Sequence, residues 1–333
     1  MPWISSRSSR GELGGFGFTW VTSSLICYWS FKLSADVARL LRGWRRGLER
    51  KRLVIAVPAS VISDTPHLRE KTSKVGLIGR AAAIFRVDEI VVYRDDPRVE
   101  QTEDLELVAT LLSYLETPQY LRKRLFTLEP RLQYVGILPP LRTPHHPSSG
   151  KAEDLRVGDY REGVVLSSVK EGLLVDVGVE QPALLRETNH AVGARLTLQV
   201  VKAVGWVEVQ VADRSDVPDY WGYSVRLERG SLKSVVEKVN ADLAIGTSRK
   251  GSEIAQVARE LGQKWKLALS MLVVFGSPSR GLYEIARDEG LRLGKLLGFV
   301  VNTIPCQGTE TVRTEEAILA SLAVLNVEFG FNV

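Results

Sequence analysis

Asn302, Thr303, Gln307, Thr309, Glu310, Thr311 and Arg313 crowd one short loop, and Pro305 and Gly308 shape the backbone between them. Amides and hydroxyls both donate and accept hydrogen bonds, so the loop suits recognition of a small polar ligand better than simple connection. A buried strand, Leu297 to Val301, leads into the loop. A helix leads out of it, with Thr314 as the N-cap hydroxyl, Glu315 and Glu316 in the first turn, and Ala317-Ile318-Leu319 behind them. In open α/β sheets, loops at the carboxyl ends of strands are where ligands sit.

Two more junctions have this form. Asp242 to Ile245 is a short strand running into Gly246-Thr247-Ser248-Arg249-Lys250-Gly251, followed by a helix from about Glu253 to Leu269. Met271 to Phe275 runs into Gly276-Ser277-Pro278-Ser279-Arg280-Gly281. Three strand-to-loop junctions can therefore serve one ligand. There is no G-x-G-x-x-G, and Gly246 to Gly251 lacks the Lys-Ser/Thr ending of a phosphate-binding loop, which argues against a dinucleotide or a triphosphate.

The elements that position these loops alternate. Leu53 to Pro58 is a buried strand, Ser63-Asp64-Thr65-Pro66 signals a helix that runs through Phe85, Glu89 to Tyr93 is a strand, and Asp104 to Leu115 a helix. This predicts an α/β fold with a parallel sheet covered on both faces. Leu138 to Gly150 is proline-rich and reads as a linker. Five short strands with turns between them follow, from Tyr160 to Val211, and fit a small all-β barrel of OB type. Tyr220-Trp221-Gly222-Tyr223 leads back to the α/β part, either packing at the boundary or stacking on a base. The expected division is 1–47, an N-terminal extension; 48–148, a first α/β half; 149–216, an inserted barrel; and 217–333, a second α/β half.

Charge narrows the class of partner. The chain has net charge +5, of which residues 1–52 contribute +7, so the remainder stands at −2. Any nucleic-acid contact in the body must come from local clusters. Arg122, Lys123 and Arg124 lie between Tyr120 and Phe126, and Arg142 lies in the proline-rich segment. Cations between aromatics bind phosphates and stack on exposed bases, or else form a solvated helix face over core aromatics. Cys27 and Cys306 form no disulfide framework, which fits a reducing compartment, the cytoplasm. His145-His146 without a further ligand nearby does not predict a metal site. Residues 16–29 are too short and polar for a membrane span, and the basic stretch 35–52 is either an amphipathic surface helix or part of an extension with little stable structure.

The three loops, with Arg313-Thr314-Glu315-Glu316-Ala317 entering the last helix, resemble the SPOUT (α/β-knot) methyltransferases. Within them the chain resembles the RNA uridine N3-methyltransferase family of archaea and eukaryotes. The same likeness extends to Lys71–Phe85, with its Lys-Thr-Ser-Lys-Val-Gly-Leu-Ile-Gly-Arg, to Thr117-Pro118-Gln119-Tyr120-Leu121-Arg122, to Gly136–Pro147 and to Tyr220–Tyr223. It runs from about Leu53 to the end.

The resemblance implies a trefoil-knotted homodimer with an inserted OB domain, S-adenosylmethionine as methyl donor and RNA, ribosomal RNA by expectation, as substrate. It places the donor among Thr247, Phe275, Gly276, Ser277, Asn302, Thr303, Ile304, Pro305, Gln307, Gly308, Thr309, Thr311 and Val312. Uridine N3 must lose its proton, and Glu310 is the candidate base, or else a helix-capping residue. Arg80 and Arg313 are candidates to stabilise charge on the uracil carbonyls, and Arg80 could instead cap its helix or pair with an acid. Two other functions stay open: methylation of another RNA atom such as a ribose hydroxyl, and a non-catalytic RNA-binding or assembly role.

Overall fold

The computed structural model describes residues 51–331; the expectations for residues 1–47 lie outside them. A six-stranded sheet carries the α/β part, in the order β11-β9-β10-β1-β2-β8, every pair parallel. Its strands are β1 (Arg52–Pro58), β2 (Glu89–Tyr93), β8 (Ser224–Glu228), β9 (Leu243–Glu253), β10 (Ser270–Val274) and β11 (Phe299–Asn302). β1 and β10 are continuous apolar runs because both of their faces are covered.

Alternate residues of β1 divide between two cores. Leu53, Ile55 and Val57 pack with helices α1 (Leu68–Ile84), α2 (Thr102–Glu116), α5 (Ile254–Leu267) and α8 (Thr314–Phe329), while Val54 and Ala56 pack with α4 (Leu232–Val239), α6 (Leu282–Asp288) and α7 (Leu293–Leu296). Each of the Val, Leu and Ile side chains contributes roughly 1.5–3 kcal/mol by leaving water.

β3 (Tyr160–Val169), β4 (Gly172–Asp176), β5 (Ala183–Leu185), β6 (Arg195–Lys202) and β7 (Glu208–Val211) close into a barrel in the order β3-β4-β5-β7-β6, with β5 and β7 parallel. Its interior is a separate cluster centred on Val165, Val175, Leu185 and Leu198.

Four expectations change. α1 starts at Leu68 rather than at Ser63 to Pro66, because the Asp64 carboxylate receives Lys74 Nζ at 2.6 Å and does not cap the helix. β9 does not stop at Ile245 but continues to Glu253. β11 pairs first with Ile245 and Gly246 and then, after a register jump, with Ser252 and Glu253, so the expected loop is a bulge inside one strand. β11 starts at Phe299 because Leu297 still closes α7. The segment expected to be a linker is packed: Leu141, Thr143 and His145 are buried, and Arg80 donates to the carbonyls of Pro140 and Leu141 at 3.0 and 2.7 Å.

Between the barrel and the sheet lies a buried polar network. Glu116, at the end of α2, receives Arg195 of β6 at 2.7 Å and His145 at 3.2 Å. Glu162 of β3 receives Arg195 at 2.6 Å, Thr197 at 2.8 Å and the Trp221 indole N–H at 2.6 Å. Tyr220, Trp221 and Tyr223 are all buried, so this aromatic cluster packs the junction.

Candidate functional site

A cavity of about 280 Å³ opens where the chain leaves the carboxyl ends of β9, β10 and β11. It falls just below the usual range for small-molecule sites, ~300–1,000 Å³. Three segments wall it: the β9 bulge, the loop from Phe275 to Gly281, and the loop from Asn302 to Val312, with the first turns of α8 as its floor.

Side chains hold the three segments to one another. Thr247 Oγ1 of the bulge donates to the carbonyl of Val274 at 3.1 Å, and Asn302 Nδ2 donates to the carbonyl of Arg249 at 3.3 Å. Asn302 Oδ1 also accepts from the Ile304 amide at 3.0 Å, turning the chain sharply after β11. Thr303 Oγ1 and Ser321 Oγ, both buried, share a hydrogen bond of 2.7 Å that fixes this loop to the middle of α8. Thr314, expected as N-cap, occupies the first helical position instead. Its hydroxyl donates to the carbonyl of Gly276 at 3.1 Å, while Arg313 is the N-cap and its amide donates to Glu316 at 3.0 Å.

The middle loop has a charged anchor. Ser277 N–H donates to the Arg280 carbonyl at 2.9 Å, and Arg280 reaches Asp288 and the Asp95 carbonyl, each at 3.0 Å, and Asp96. The hydrogen bond from Arg98, with the charge of Arg280 added, holds the Asp96 carboxyl at about 2. Below the loop, Tyr93 donates to the Phe275 carbonyl at 2.8 Å, and burial pushes its phenol well above the usual range. Lys74, also buried, joins Asp64 and Glu315 at 2.6 and 3.3 Å and so ties α1 to the start of α8.

Thr247, Phe275, Gly276, Ser277, Asn302, Thr303, Ile304, Gln307, Thr311 and Val312 line the cavity; Pro305, Gly308 and Thr309 stand in the same loop without lining it. Glu310 is exposed, and its carbonyl accepts from Arg249 Nη1 at 2.6 Å and from Gln307 Nε2 at 3.1 Å. Arg313 is exposed at the head of α8, and Arg80 lies on α1, outside the lining, holding Pro140 and Leu141.

The expected cationic cluster is largely engaged within the protein. Arg122, on α3 (Gln119–Leu125), donates to the carbonyls of Thr117 and Leu115 at 2.9 and 3.1 Å and lies over the Tyr114 ring, closing the end of α2. Arg124 bonds Asp176 of the barrel at 2.7 Å, which leaves Lys123 and Arg142 as the exposed members without such a bond here.

Lining residues that were not singled out in the sequence include Ser248, Arg249, Lys250, Arg280, Glu284 and Ser321. The first four belong to loops already marked by their glycines. Glu284 and Ser321 sit within helices, where only the fold brings them to the cavity. Among the described residues no group of three or more His, Cys, Asp or Glu side chains could hold a metal ion, and no helix is long and apolar enough to cross a membrane.

A model of the family described as "Putative RNA methyltransferase" matches residues 52–325. The chain is 35% identical over 289 residues to an uncharacterized protein of Halobacterium salinarum, covering 82% of this chain and 98% of that one. It is 34% identical over 304 residues to the 28S rRNA (uridine-N(3))-methyltransferase of Homo sapiens, covering 82% of this chain and 77% of the relative. The mouse protein of the same name is 33% identical over 303 residues, with 82% and 75% covered. With a family match that spans both sides of the barrel and every loop of the cavity, the chain belongs to this RNA methyltransferase family.

Proposed function

We propose that the chain transfers a methyl group from S-adenosylmethionine to N3 of a uridine in ribosomal RNA. The observation that carries this is the convergence of three strand-end loops on one cavity, in a chain about a third identical to relatives named as 28S rRNA (uridine-N(3))-methyltransferases.

The residues present fit such a donor. The lining combines hydroxyls and amides from Thr247, Ser277, Asn302 and Gln307 with the apolar Ile304 and Val312 and the Glu284 carboxylate, groups suited to a ribose, an adenine and a cationic tail. Gly276 leaves the wall at this point as bare backbone, and a Cβ there would stand 3.1 Å from Gly281 Cα and from the Leu282 nitrogen, closer than ordinary contact. Bound there, S-adenosylmethionine would supply an electrophilic methyl group on its sulfonium.

The chain's own residues have to align the two reactants and handle one proton. Glu310, exposed on the last loop, is proposed to accept the N3 proton directly or through water, and Arg80 and Arg313 to stabilise charge on the uracil carbonyls. The target atom lies on the Watson–Crick edge, so the substrate is an unpaired or extruded uridine.

We also infer the architecture that the resemblance implies. The parallel order β11-β9-β10 at the cavity is in keeping with a SPOUT domain, whose trefoil knot belongs to the resemblance. The order β3-β4-β5-β7-β6 supports an OB barrel, inserted at 149–216 between the halves 48–148 and 217–333. Homodimerisation and a cytoplasmic location belong to the same reading.

The experiment is transfer of labelled methyl from S-adenosylmethionine to RNA that lacks the modification, followed by nucleoside mass spectrometry. Labelled N3-methyluridine is the expected product. A labelled ribose would replace the proposed atom with a hydroxyl, and donor binding without transfer to any RNA would replace the enzyme reading with an assembly role.

A further inference from the structure

Consecutive residues of the β9 bulge reach in opposite directions, as strand residues do. Arg249 Nη1 donates to the carbonyl of Glu310, at 2.6 Å, on the loop after β11. Lys250 Nζ pairs with Glu284 on α6, behind the loop after β10. The bulge therefore clasps both neighbouring walls of the cavity with two cations.

These cations differ from the third one in the lining. Arg280 is only 16% exposed and is held by Asp96, Asp288 and the Asp95 carbonyl. Lys250 is 56% exposed with a single acidic partner, and Arg249 is exposed with a neutral carbonyl as its partner. Exposed, singly partnered cations are held only weakly by their partners, so a phosphate can displace the Glu284 carboxylate and the Glu310 carbonyl at little cost. The body outside residues 1–52 has net charge −2, so attraction for RNA has to be local. Of the four cations expected to supply it, Arg122 and Arg124 are turned to Thr117, Leu115 and Asp176, and the exposed Lys123 and Arg142 are not among the residues that line the cavity.

We propose that Arg249 and Lys250 are the phosphate contacts at the cavity mouth, and that they exchange Glu310 and Glu284 for the RNA backbone beside the target nucleotide. The inference rests on the reading of the cavity as the methyl-transfer site. Because Arg249 is bonded to the loop after β11 and Lys250 to α6, RNA docking also releases the bulge from both and makes cavity opening respond to substrate. Phosphate contacts of this kind set position rather than sequence preference.

The test is equilibrium binding of a short unstructured uridine-containing RNA oligonucleotide to the full chain over a salt series. Arg249→Gln and Lys250→Gln each keep a neutral donor but remove the charge. Each is expected to weaken binding several-fold and to lower the slope of log affinity against log salt by about 0.7. Glu284→Gln frees Lys250 and is expected to tighten binding. An unchanged salt slope in both Gln variants, at unchanged melting temperature, overturns the proposal, as does an E284Q variant that weakens RNA as K250Q does, because Lys250 would then act only as a latch. Wild-type chain that binds the oligonucleotide with the expected slope but transfers no methyl would leave this inference standing and remove the functional reading instead.

Discussion

Thr314 Oγ1 donates to the carbonyl of Gly276 at 3.1 Å, joining the first turn of the last helix to the loop after β10. Thr314 is buried, and the bond fixes the distance between two walls of the cavity. Thr314→Val keeps the side chain's shape and removes the donor, leaving a carbonyl without this partner. The expected loss of stability is about 1 kcal/mol. Donor affinity, read by calorimetry with S-adenosylmethionine, should fall with it. Unchanged affinity in a destabilised variant would show that the bond serves the fold alone.

Glycines in the same three segments separate packing from ligand approach. A Cβ on Gly251 would stand 2.6 Å from the Val300 carbonyl oxygen and 2.8 Å from two carbonyl carbons, all main chain of β11. Gly251→Ala therefore forces β9 and β11 apart and should cost about 1–3 kcal/mol, measured by denaturant unfolding. Gly308 has nothing within 4 Å of a built Cβ, and Gly308→Ala should change stability by no more than about 0.5 kcal/mol. If G308A melts like the parent but loses donor binding, its backbone is approached by the ligand.

The sheet's central strands were legible because β1, β2 and β10 are apolar on both faces and bounded by turn residues. β8 was not. As an edge strand it pairs only with β2, and its Arg226 and Glu228 are accommodated by Glu89 and Lys238, so Ser-Val-Arg-Leu-Glu carries no buried-strand signal. The course of β9 past Gly246 was hidden for a related reason: Thr-Ser-Arg-Lys-Gly is a bulge whose pairing resumes only because β11 supplies a second register. The cavity loops were legible as loops, from glycine, proline and polar residues after apolar runs. What they contain at depth was not: Ser321 meets Thr303 across 18 positions, and nothing local in α8 marks it. The 138–150 segment misled because proline suits both a free linker and a packed one. Arg80 and the buried His145 decide between them, and both act over long sequence separations.

The polar network at the barrel junction predicts the acid limb of the stability curve. Burial, with the neighbouring His145, lowers His146 from 6.5 to about 4, so it is neutral when folded and takes up a proton on unfolding below 6.5. Its contribution is present above pH 6.5 and is lost as pH falls from 6.5 through 4, at most about 3 kcal/mol. Burial would raise Glu116, but His145 and Arg195 override it and hold the carboxyl at about 2 against 4.5. That contribution is lost only from 4.5 downward through 2. His146→Gln keeps a donor for the Glu116 carbonyl, which His146 Nε2 meets at 2.7 Å, and removes the titration. Urea midpoints should then stay level between pH 6.5 and about 5 in H146Q while the parent declines.

Trp221 connects the same network to the return strand β8. Its indole N–H donates to Glu162 Oε1 at 2.6 Å, the oxygen that also accepts from Thr197 at 2.8 Å, while Arg195 holds Oε2 at 2.6 Å. Trp221→Phe keeps most of the packing against His145 and Tyr160 but removes one donor from a buried carboxylate. Thr197 and Arg195 still satisfy Glu162, so the cost should be on the order of 1–3 kcal/mol and not the larger loss that follows an unpaired buried charge. The loss should be local. Hydrogen exchange is expected to speed up in β3 and β6, which carry Glu162 and Arg195, and to stay unchanged in β1 and β10 at the centre of the sheet. Equal acceleration in both would mean that barrel and sheet unfold as one cooperative unit, with the junction as strong as either core.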